Sequence, residues 1–353
     1  MQRIGLLILS LLLIALSIRQ VPTSATTIVL EAENYANIVE PMKVTKGAEV
    51  SGDAFIELPL GVGQGWQGKG GGEITYRMDF PESATYTLWA RTLWKDGCTN
   101  AFFLDINDDE RMVFGNDAIF EQWHWIKGQS FKLDKGINYL TFANHSDGTA
   151  MDKIILTNDL FYFPEGLGQD ITQFFDGFAG CDANNTGSWD FVSGKWRVVK
   201  GGEGGAAGVN DCLAQWAPGG GRTMAGFPVW TNYDFKVKTM LTDYGSVALS
   251  IYSQSPENEY RITFNVTELS PTLTIAHVDD GEISILAETP ISTFNLDHWY
   301  EIGYIQEEKY IVILLDGQKV LRVELDGAHQ GRVGLLTQDT GGVYFDNVNV
   351  QFH

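Results

Sequence analysis

Short runs of alternating apolar and polar residues, separated by turn-forming residues, recur along most of this chain of 353 residues. Because β-strand side chains point alternately to opposite faces, such runs predict strands with one buried face. Asp280-Gly281 and Asp316-Gly317 are pairs that favour tight hairpins. Helix-period segments are hard to find, so the sequence predicts an all-β fold of β-sandwiches. The clearest runs are Thr85–Arg91, Ala101–Ile106, Tyr139–Ala143, Asp234–Met240, Val247–Ser253, Tyr260–Val266, Trp299–Ile305 and Tyr310–Leu315.

The patterned regions form two groups with a break between them. Pro164, Gly166 and Gly168 interrupt the alternation there. A mature chain of about 330 residues also favours two domains over one. We therefore expect two tandem β-sandwich domains, residues 26–159 and 173–353, joined by a linker at residues 160–172.

The N-terminus has the pattern of a secretory signal. A basic start precedes an apolar run from Ile4 to Ile18, which is shorter than the ~20 residues of a membrane span. The small-residue triplet Thr23-Ser24-Ala25 is typical of a cleavage site. The sequence predicts a signal peptide at residues 1–25 and a secreted or extracytoplasmic protein, in the periplasm or on the cell surface, without membrane insertion after cleavage. An uncleaved anchor is the alternative.

The chain is strongly acidic, with 45 Asp and Glu against 24 Lys and Arg and a formal charge of −21. Loss of Arg3 and Arg19 with the signal peptide would make the charge −23. Nucleic acids and anionic lipids require basic patches, so the composition argues against both as partners. It fits a neutral ligand or a calcium-rich exterior.

Three cysteines are too few for a disulfide scaffold. Cys181 and Cys212 lie in the same predicted domain and are the candidates for a disulfide in an oxidising compartment. Cys98 would then remain as a small buried apolar residue. The sequence alone leaves this pairing open.

Two glutamates share one face of the first predicted strand. In Val29–Glu33, Glu31 and Glu33 alternate with apolar residues. Two carboxylates on one strand face repel each other unless a cation or a proton relieves them. Calcium tolerates the irregular oxygen geometry of a strand edge. Asp152 would supply a third carboxylate if the first and last strands of the domain are neighbours. Solvated surface acids are the alternative.

Several separated motifs run through residues 28–159. They are Leu30–Glu33, Ser51–Ile56, Thr85–Arg91, Gln122–Trp125, Leu133–Asn138 and Asp147–Ile154. This region resembles the β-sandwich carbohydrate-binding modules of families 6 and 35. In that group a structural calcium joins the glutamates of the first strand to an aspartate of the last. The resemblance implies Glu31, Glu33 and Asp152 as ligands of one Ca²⁺.

The second predicted domain carries its own ordered set of motifs. They are Phe174–Phe178, Gly194–Val198, Trp230–Phe235, His298–Ile302, Val312–Val323, Gly331–Leu335 and Val343–Val350. Their order resembles the concanavalin A-like lectin/glucanase jelly rolls, in the laminin-G-like and levan-binding-module-like branch. Asp176 and Asp346, at the joined ends of this domain, are a candidate pair for a second, weaker metal site. Turn capping is the alternative for both.

No strand carries the closely spaced carboxylates that glycosidases on such jelly rolls use, since both groups must flank one scissile bond. Glu257-Asn258-Glu259 and Asp279–Glu282 are acidic, but their neighbours predict solvated turns. We therefore expect no catalytic residue.

Aromatic residues in polar loops are the candidate sugar contacts, because sugar rings stack on aromatic planes while amides and carboxylates bind their hydroxyls. Trp94 with Asp96 and Asn100 combines these groups within eight residues. Trp66 lies in another glycine-rich loop and is a second candidate.

Comparison with family 6 adds further candidates and one departure. Phe120 stands where a ligand-stacking tryptophan often occurs in that family. Ala150 stands where a ligand asparagine is usual, and its side chain has no hydrogen-bonding group. We therefore expect either that binding uses Trp94, Asn100, Asn116 and Asp117 in another arrangement than the usual loop-end site, or that binding at this end has been lost.

In the second domain we predict a long glycine-rich loop at residues 208–228. Loops of this kind on rigid sandwiches tend to carry function. Its Trp216 and Arg222 suit an acidic or hydroxylated sugar.

Together these features predict a secreted, non-catalytic, calcium-stabilised protein that binds polysaccharide through two weak sites on one chain. A glycoside hydrolase acting through the C-terminal jelly roll is the first alternative. A cell-surface adhesion or interaction protein is the second. The sequence identifies neither the glycan nor the oligomeric state.

Overall fold

The computed structural model describes residues 25–62, 71–107, 109–165, 171–179, 187–200, 211–325 and 329–353. Within them the chain forms four antiparallel β-sheets, and the only helical element is a 3₁₀ turn at Ser51–Asp53. The prediction of an all-β fold is confirmed. Residues 1–24 of the predicted signal peptide lie outside the described residues. No helix in the described part has the length and apolar character needed to cross a membrane.

The first eleven strands form two facing sheets. One sheet has the order β3-β4-β11-β6-β9 with β1 added beside β11, and the other has the order β2-β5-β10-β7-β8. The first and last strands of this set are therefore neighbours, as the calcium prediction requires. The strands are β1 Thr27–Glu31, β2 Asn37–Val39, β3 Lys43–Lys46, β4 Ala54–Leu58, β5 Glu73–Phe80, β6 Ala84–Trp94, β7 Ala101–Ile106, β8 Met112–Gly115, β9 His124–Leu133, β10 Gly136–Asn144 and β11 Thr149–Thr157.

The remaining strands form a second pair of sheets. One has the order β14-β15-β26-β17-β22-β23-β24 with β12 beside β26. The other, which we call the outer sheet, has the order β13-β16-β25-β18-β19-β20-β21. The strands are β12 Gln173–Asp176, β13 Trp189–Ser193, β14 Trp196–Val199, β15 Cys212–Gln215, β16 Gly220–Ala225, β17 Tyr233–Leu241, β18 Gly245–Ser255, β19 Asn258–Val266, β20 Thr272–Asp279, β21 Glu282–Pro290, β22 Tyr300–Glu307, β23 Tyr310–Leu315, β24 Gln318–Glu324, β25 Arg332–Gln338 and β26 Val343–Phe352.

Residues 208–228, predicted as one long loop, contain two strands in their described part. All four residues of β15 are buried, and β16 pairs with β25 over six residues. The glycines suggested an irregular segment, but Gly220 and Gly221 lie inside β16. The loop prediction is wrong because pairing with distant strands outweighs the weak local propensity.

Strand alternation sets the position of each core. In β18, Val247, Leu249 and Ile251 are completely buried and alternate with small residues on the opposite face. The hairpin between β20 and β21 turns at Asp280-Gly281, where both residues have positive φ (46° and 82°). This is the backbone that a two-residue hairpin favours. Both predicted hairpins form, because β23 and β24 are joined at Asp316-Gly317 in the same way.

The two pairs of sheets contact each other through an aromatic junction, which we define as Trp89, Trp125, Phe163 and Phe227. The ring centroids of Trp89 and Phe227 are 5.7 Å apart, and those of Phe163 and Phe227 are 5.1 Å apart. Beside this junction, the Gln122 side-chain carbonyl accepts the Thr172 N–H at 2.8 Å. Apolar packing and hydrogen bonds therefore join the two pairs of sheets.

The cysteines differ from the prediction. Cys98 is disulfide-bonded, whereas Cys212 is a free buried thiol. Cys181, predicted as the partner of Cys212, lies outside the described residues. Cys212 lies in β15, where burial raises the pKa of its thiol to about 11.

Candidate functional site

The predicted calcium ligands come together where β1 ends beside β11. Glu31 lies opposite Lys153, and the Ala32 N–H donates to the Asp152 carbonyl at 2.8 Å. The Asp152 side chain is completely buried, with Oδ2 2.6 Å from Arg91 Nη1 and Oδ1 accepting the Ser51 N–H at 2.9 Å. The pairing of first and last strands thus places these acids at one edge, as the sequence predicted.

Glu33 completes this acidic cluster. A Cβ added to Gly52 would lie 2.2 Å from Glu33 Oε1 and 3.6 Å from Glu31 Cγ, so both glutamates border the same turn. Glu31 Oε2 and Glu33 Oε2 are buried and have no hydrogen-bond partner among the described residues. Burial raises the pKa of Glu33, and the charges of Glu31 and Asp152 raise it further. Burial also raises the pKa of Asp152, against the opposing effect of Arg91.

The chemistry of the acidic cluster suits a hard cation, because it offers carboxylate oxygens of which two are buried without partners. Two resident cations partly neutralise it. Arg91 contacts Asp152, and Lys153 Nζ is 3.2 Å from Glu31 Oε1. No three acidic, histidine or cysteine side chains in the described part of the chain are arranged as a metal-binding group. Calcium binding here therefore remains a prediction.

The second predicted metal pair has a different environment. The two oxygens of Asp176 accept the Trp189 Nε1–H at 2.8 Å and the Phe178 N–H at 2.7 Å. Burial raises the pKa of Asp176 to about 6. Asp346 Oδ1 accepts the Asn347 N–H at 2.7 Å. The local hydrogen bonds correspond to the turn-capping alternative, and the structure does not support the second metal site.

Trp94, predicted as the main sugar platform, is 0% exposed. Its ring packs against Phe102 at 5.7 Å and against His124 at 6.2 Å between centroids. An indole that is fully enclosed in the core cannot stack on a sugar, so this prediction is wrong. The loop that follows Trp94 is polar, but Trp94 is the last residue of β6 and its side chain is buried in the core.

The residues expected to assist Trp94 serve the loop itself. Asn100 is buried, and its Nδ2–H donates to the Asp117 carbonyl at 2.9 Å. Asp96 is exposed, but its Oδ1 accepts the Cys98 N–H at 2.8 Å. These contacts hold the loop together, and they leave Asn100 unavailable to a ligand. The prediction for Asn100 is therefore also wrong.

The other residues predicted at this end of the first sandwich lie against the second pair of sheets. Asp117 is buried, and its Oδ2 is 2.9 Å from His124 Nε2. Phe120 packs against the cores of both sheet pairs. A Cβ added to Gly187 would lie 2.2 Å from the Asn116 carbonyl oxygen.

The end of the first sandwich where the comparison with family 6 places the usual loop-end site is thus in contact with the second pair of sheets. This corrects the predicted roles of Asn116, Asp117 and Phe120. Trp66 lies outside the described residues.

An open pocket of about 640 Å³ lies on the solvent-facing side of the outer sheet. Arg222 pairs with Leu336, Leu336 with Ala248, and Ala248 with Thr263, so one row of side chains crosses β16, β25, β18 and β19. The centre of this row is small, and the neighbouring Gly220, Gly221 and Ser246 keep the floor low. Longer side chains, Lys195, Arg261 and Gln338, form the walls. We call this site the basic pocket.

A buried carboxylate fixes the two arginines of the basic pocket. Glu259 is 2% exposed, and its Oε1 accepts the Arg261 Nη2–H at 2.6 Å and Nε–H at 3.0 Å. Its Oε2 contacts Arg222 Nη2 and the Ser250 hydroxyl. Such charge-assisted, bidentate contacts hold guanidinium planes in a defined orientation. Both carboxylate oxygens are engaged, so Glu259 serves to position the arginines.

Sequence reasoning identified Arg222 but missed the rest of the basic pocket. The prediction of a solvated turn at Glu259 is wrong, because Glu259 lies in β19 and is buried against Arg222, Arg261 and Ser250. Arg261, Thr263 and Asn265 alternate with buried residues in a run that was recognised as a strand. That alternation could have shown an outward polar row, although not the partner strands that complete the pocket.

Trp216 lies next to the basic pocket along the chain and is 40% exposed. Its backbone N–H donates to the Lys195 carbonyl at 3.2 Å, and its neighbour Ala217 lines the pocket. The Arg197 guanidinium lies 4.8 Å from the Trp216 ring centroid. Among the predicted aromatic contacts in the described residues, Trp216 keeps an exposed ring beside an open pocket.

No protein-family model and no curated protein matches this chain. One solved structure similar to it is the carbohydrate binding module CBM66 from Bacillus subtilis, with 17% identity, 46% of this chain and 95% of the module covered, and a TM-score of 0.38. A family 35 module from Clostridium thermocellum has 16% identity, with 37% and 97% covered and a TM-score of 0.29.

A third similar structure is the C-terminal CBM6 of a marine laminarinase from Zobellia galactanivorans. It has 18% identity, 38% of this chain and 100% of the module covered, and a TM-score of 0.29. Family 6 and family 35 modules, which the sequence resembles, are thus among the solved structures similar to this chain. The likeness concerns the fold.

Proposed function

We propose that this protein binds polysaccharide without cleaving it and that the basic pocket is the binding site. The observation that carries the proposal is the open pocket of about 640 Å³ in the solvent-facing side of the outer sheet. Its volume lies in the range of about 300–1,000 Å³ common for small-ligand sites. The regular strands beneath the pocket provide a rigid support for a binding site.

The side chains of the basic pocket suit a hydroxylated ring. Arg222, Arg261 and Lys195 present N–H donors, while Thr263 and Ser246 present hydroxyls that both donate and accept. Apolar contacts come from Leu336 and Ala248 in the floor. Trp216, beside Lys195, offers an exposed aromatic face at the edge.

Hydrolysis would need two carboxyl groups on opposite sides of the scissile bond. Among its described lining residues the basic pocket has no Asp or Glu. The adjacent Glu259 has both oxygens engaged by Arg222, Arg261 and Ser250. We therefore propose retention of glycan without turnover. The glycoside hydrolase alternative would be supported by the release of reducing sugar.

We further propose that the protein acts outside the cytoplasm, after removal of residues 1–25. A calcium ion would be held by Glu31, Glu33 and Asp152 and would neutralise their mutual repulsion. Two weak sugar sites, one on each sandwich, are no longer part of the proposal. The predicted first site lies against the second pair of sheets.

The test is retention of the mature chain on a panel of immobilised plant, algal and bacterial polysaccharides. Ala248→Tyr would fill the floor of the basic pocket and should weaken binding at least tenfold, about 1.4 kcal/mol. Thr274→Tyr is a matched control, because Thr274 pairs with Thr263 on the same sheet but does not line the pocket. It should bind like the wild type.

Two outcomes would contradict the proposal. Failure of the wild type to bind any polysaccharide would exclude the function. Unchanged binding by a folded Ala248→Tyr variant would exclude the basic pocket as the site. Thermal melts of both variants separate loss of binding from loss of fold.

A further inference from the structure

The basic pocket has a charge opposite to that of the protein as a whole. The chain has a formal charge of −21, whereas Lys195, Arg222 and Arg261 line the pocket and no described acidic residue does. Glu259, which is buried beside them, offsets one of these three charges. The pocket is therefore a local cationic site on a protein whose net charge is negative.

The three cations remain able to bind a ligand. Arg222 and Arg261 contact Glu259 and Ser250 through Nη2 and Nε, so these contacts do not use either Nη1 group. Arg222 Nε also has no hydrogen-bond partner among the described residues. Lys195 is exposed and forms no ion pair with any described residue. The three cations carry more positive charge than Glu259 neutralises, and they have N–H donors that Glu259 does not engage.

A neutral sugar would leave this charge unmatched. A carboxylate or sulfate accepts charge-assisted hydrogen bonds from guanidinium groups, often in bidentate geometry. We propose that the basic pocket recognises an anionic sugar residue, bearing a carboxylate or a sulfate group. This inference rests on the proposed polysaccharide-binding function and names the substrate class of the same site.

The acidic charge of the whole protein limits which polyanions can bind the basic pocket. A densely charged polymer would be repelled by the rest of a protein of charge −21, since the summed field acts over about a Debye length, ~8 Å at physiological ionic strength. An isolated anionic residue in a mostly neutral glycan would meet only the cationic pocket. We therefore infer a ligand of low charge density.

The experiment compares matched pairs of short probes by calorimetric titration of the mature chain. The first pair is a neutral oligosaccharide carrying one galacturonic acid and the same molecule with its carboxylate reduced to an alcohol. The second pair is a galactan oligosaccharide carrying one sulfate group and its desulfated form. In at least one pair, the charged member should bind about tenfold more tightly or better. The pair that shows the preference distinguishes carboxylate from sulfate.

Lys195→Gln should weaken binding of the charged member several-fold more than binding of the neutral member, and so reduce this preference. Lys132→Gln, at an exposed lysine of the first sandwich, is the matched control and should change neither affinity. Equal binding of charged and neutral members in both pairs would overturn the inference and leave carbohydrate binding intact. Failure of every probe and of the polysaccharide panel would overturn both proposals.

Discussion

At the residue scale, tertiary contacts reverse the roles of two residues that their local sequence suggested. Trp94 precedes a polar Asp-Gly loop, but it lies fully enclosed against Phe102 and His124. Glu259 follows a Pro-Glu-Asn turn signal, yet it is buried between Arg222 and Arg261. Neighbouring residues in the chain therefore do not reveal whether a tryptophan or a glutamate will be covered.

The burial of Trp94 leads to a prediction about stability. Trp94→Ala should lower the free energy of unfolding by about 3–5 kcal/mol, because truncating a buried tryptophan removes its packing and leaves a cavity. Polysaccharide affinity of the folded fraction should not change, since Trp94 lies in the core of the first sandwich and does not line the basic pocket. Urea unfolding followed by fluorescence measures the first effect, and affinity electrophoresis the second.

Trp216→Ala is the matched comparison for Trp94→Ala, because Trp216 is 40% exposed. The unfolding free energy of the Trp216→Ala variant should differ from that of the wild type by less than about 1 kcal/mol. A Trp94→Ala variant that keeps wild-type stability while losing affinity would restore the sugar-platform interpretation.

At the scale of elements, the pairing of β1 with β11 creates the acidic cluster. Neither strand alone carries all three carboxylates, and their pairing places Glu31 opposite Lys153 and Ala32 against the Asp152 backbone. Arg91 comes from β6, the other neighbour of β11, and neutralises part of the charge. The sequence predicted the acids but not this arginine, because its contact depends on strand order.

The acidic cluster leads to a prediction about metal removal. Calcium at 100 times its dissociation constant would stabilise the folded state by about 2.7 kcal/mol. Chelation should therefore lower the melting temperature of the wild type in calorimetry. Glu33→Gln should abolish this response, and without the repulsion it should melt no lower than the chelated wild type.

Glu40→Gln removes an exposed acid that follows β2 in the other sheet, and it serves as the control because it should keep the full response to chelation. If chelation leaves the wild-type melt unchanged, Arg91 and Lys153 suffice to neutralise the cluster and the calcium proposal fails.

At the scale of the whole molecule, the aromatic junction joins the two pairs of sheets. Ala118 and Ile119 from the first half belong to the core cluster of the second half. The Ala118 N–H also donates to the Ser188 hydroxyl at 2.9 Å. This contact covers the end of the first sandwich where the sequence comparison with family 6 predicted a sugar site. The basic pocket, on the outer sheet, remains open.

The junction predicts how the two halves unfold. The wild type should show one cooperative transition, because each half covers apolar surface of the other. Phe227→Ala removes a ring that contacts Trp89, Phe163 and Trp230, and should lower stability by about 1–3 kcal/mol. Calorimetry should then resolve two transitions. Phe191→Ala, which removes a ring stacked on Trp196 outside the junction, should retain one.

Two separate transitions in the wild type would contradict this coupling. A single transition in Phe227→Ala, at a reduced temperature, would show that the remaining junction contacts suffice.

The sequence by itself determined the all-β fold and the two hairpin turns. These follow from local patterns, since the period of two and the Asp-Gly pairs act over a few residues. The tertiary structure decided which surfaces stay open. It enclosed Trp94, buried Asn100 and Asp117, and assembled the basic pocket from four strands. Alternation shows that a side chain points outward from its strand, but whether solvent or another part of the chain lies there depends on long-range packing.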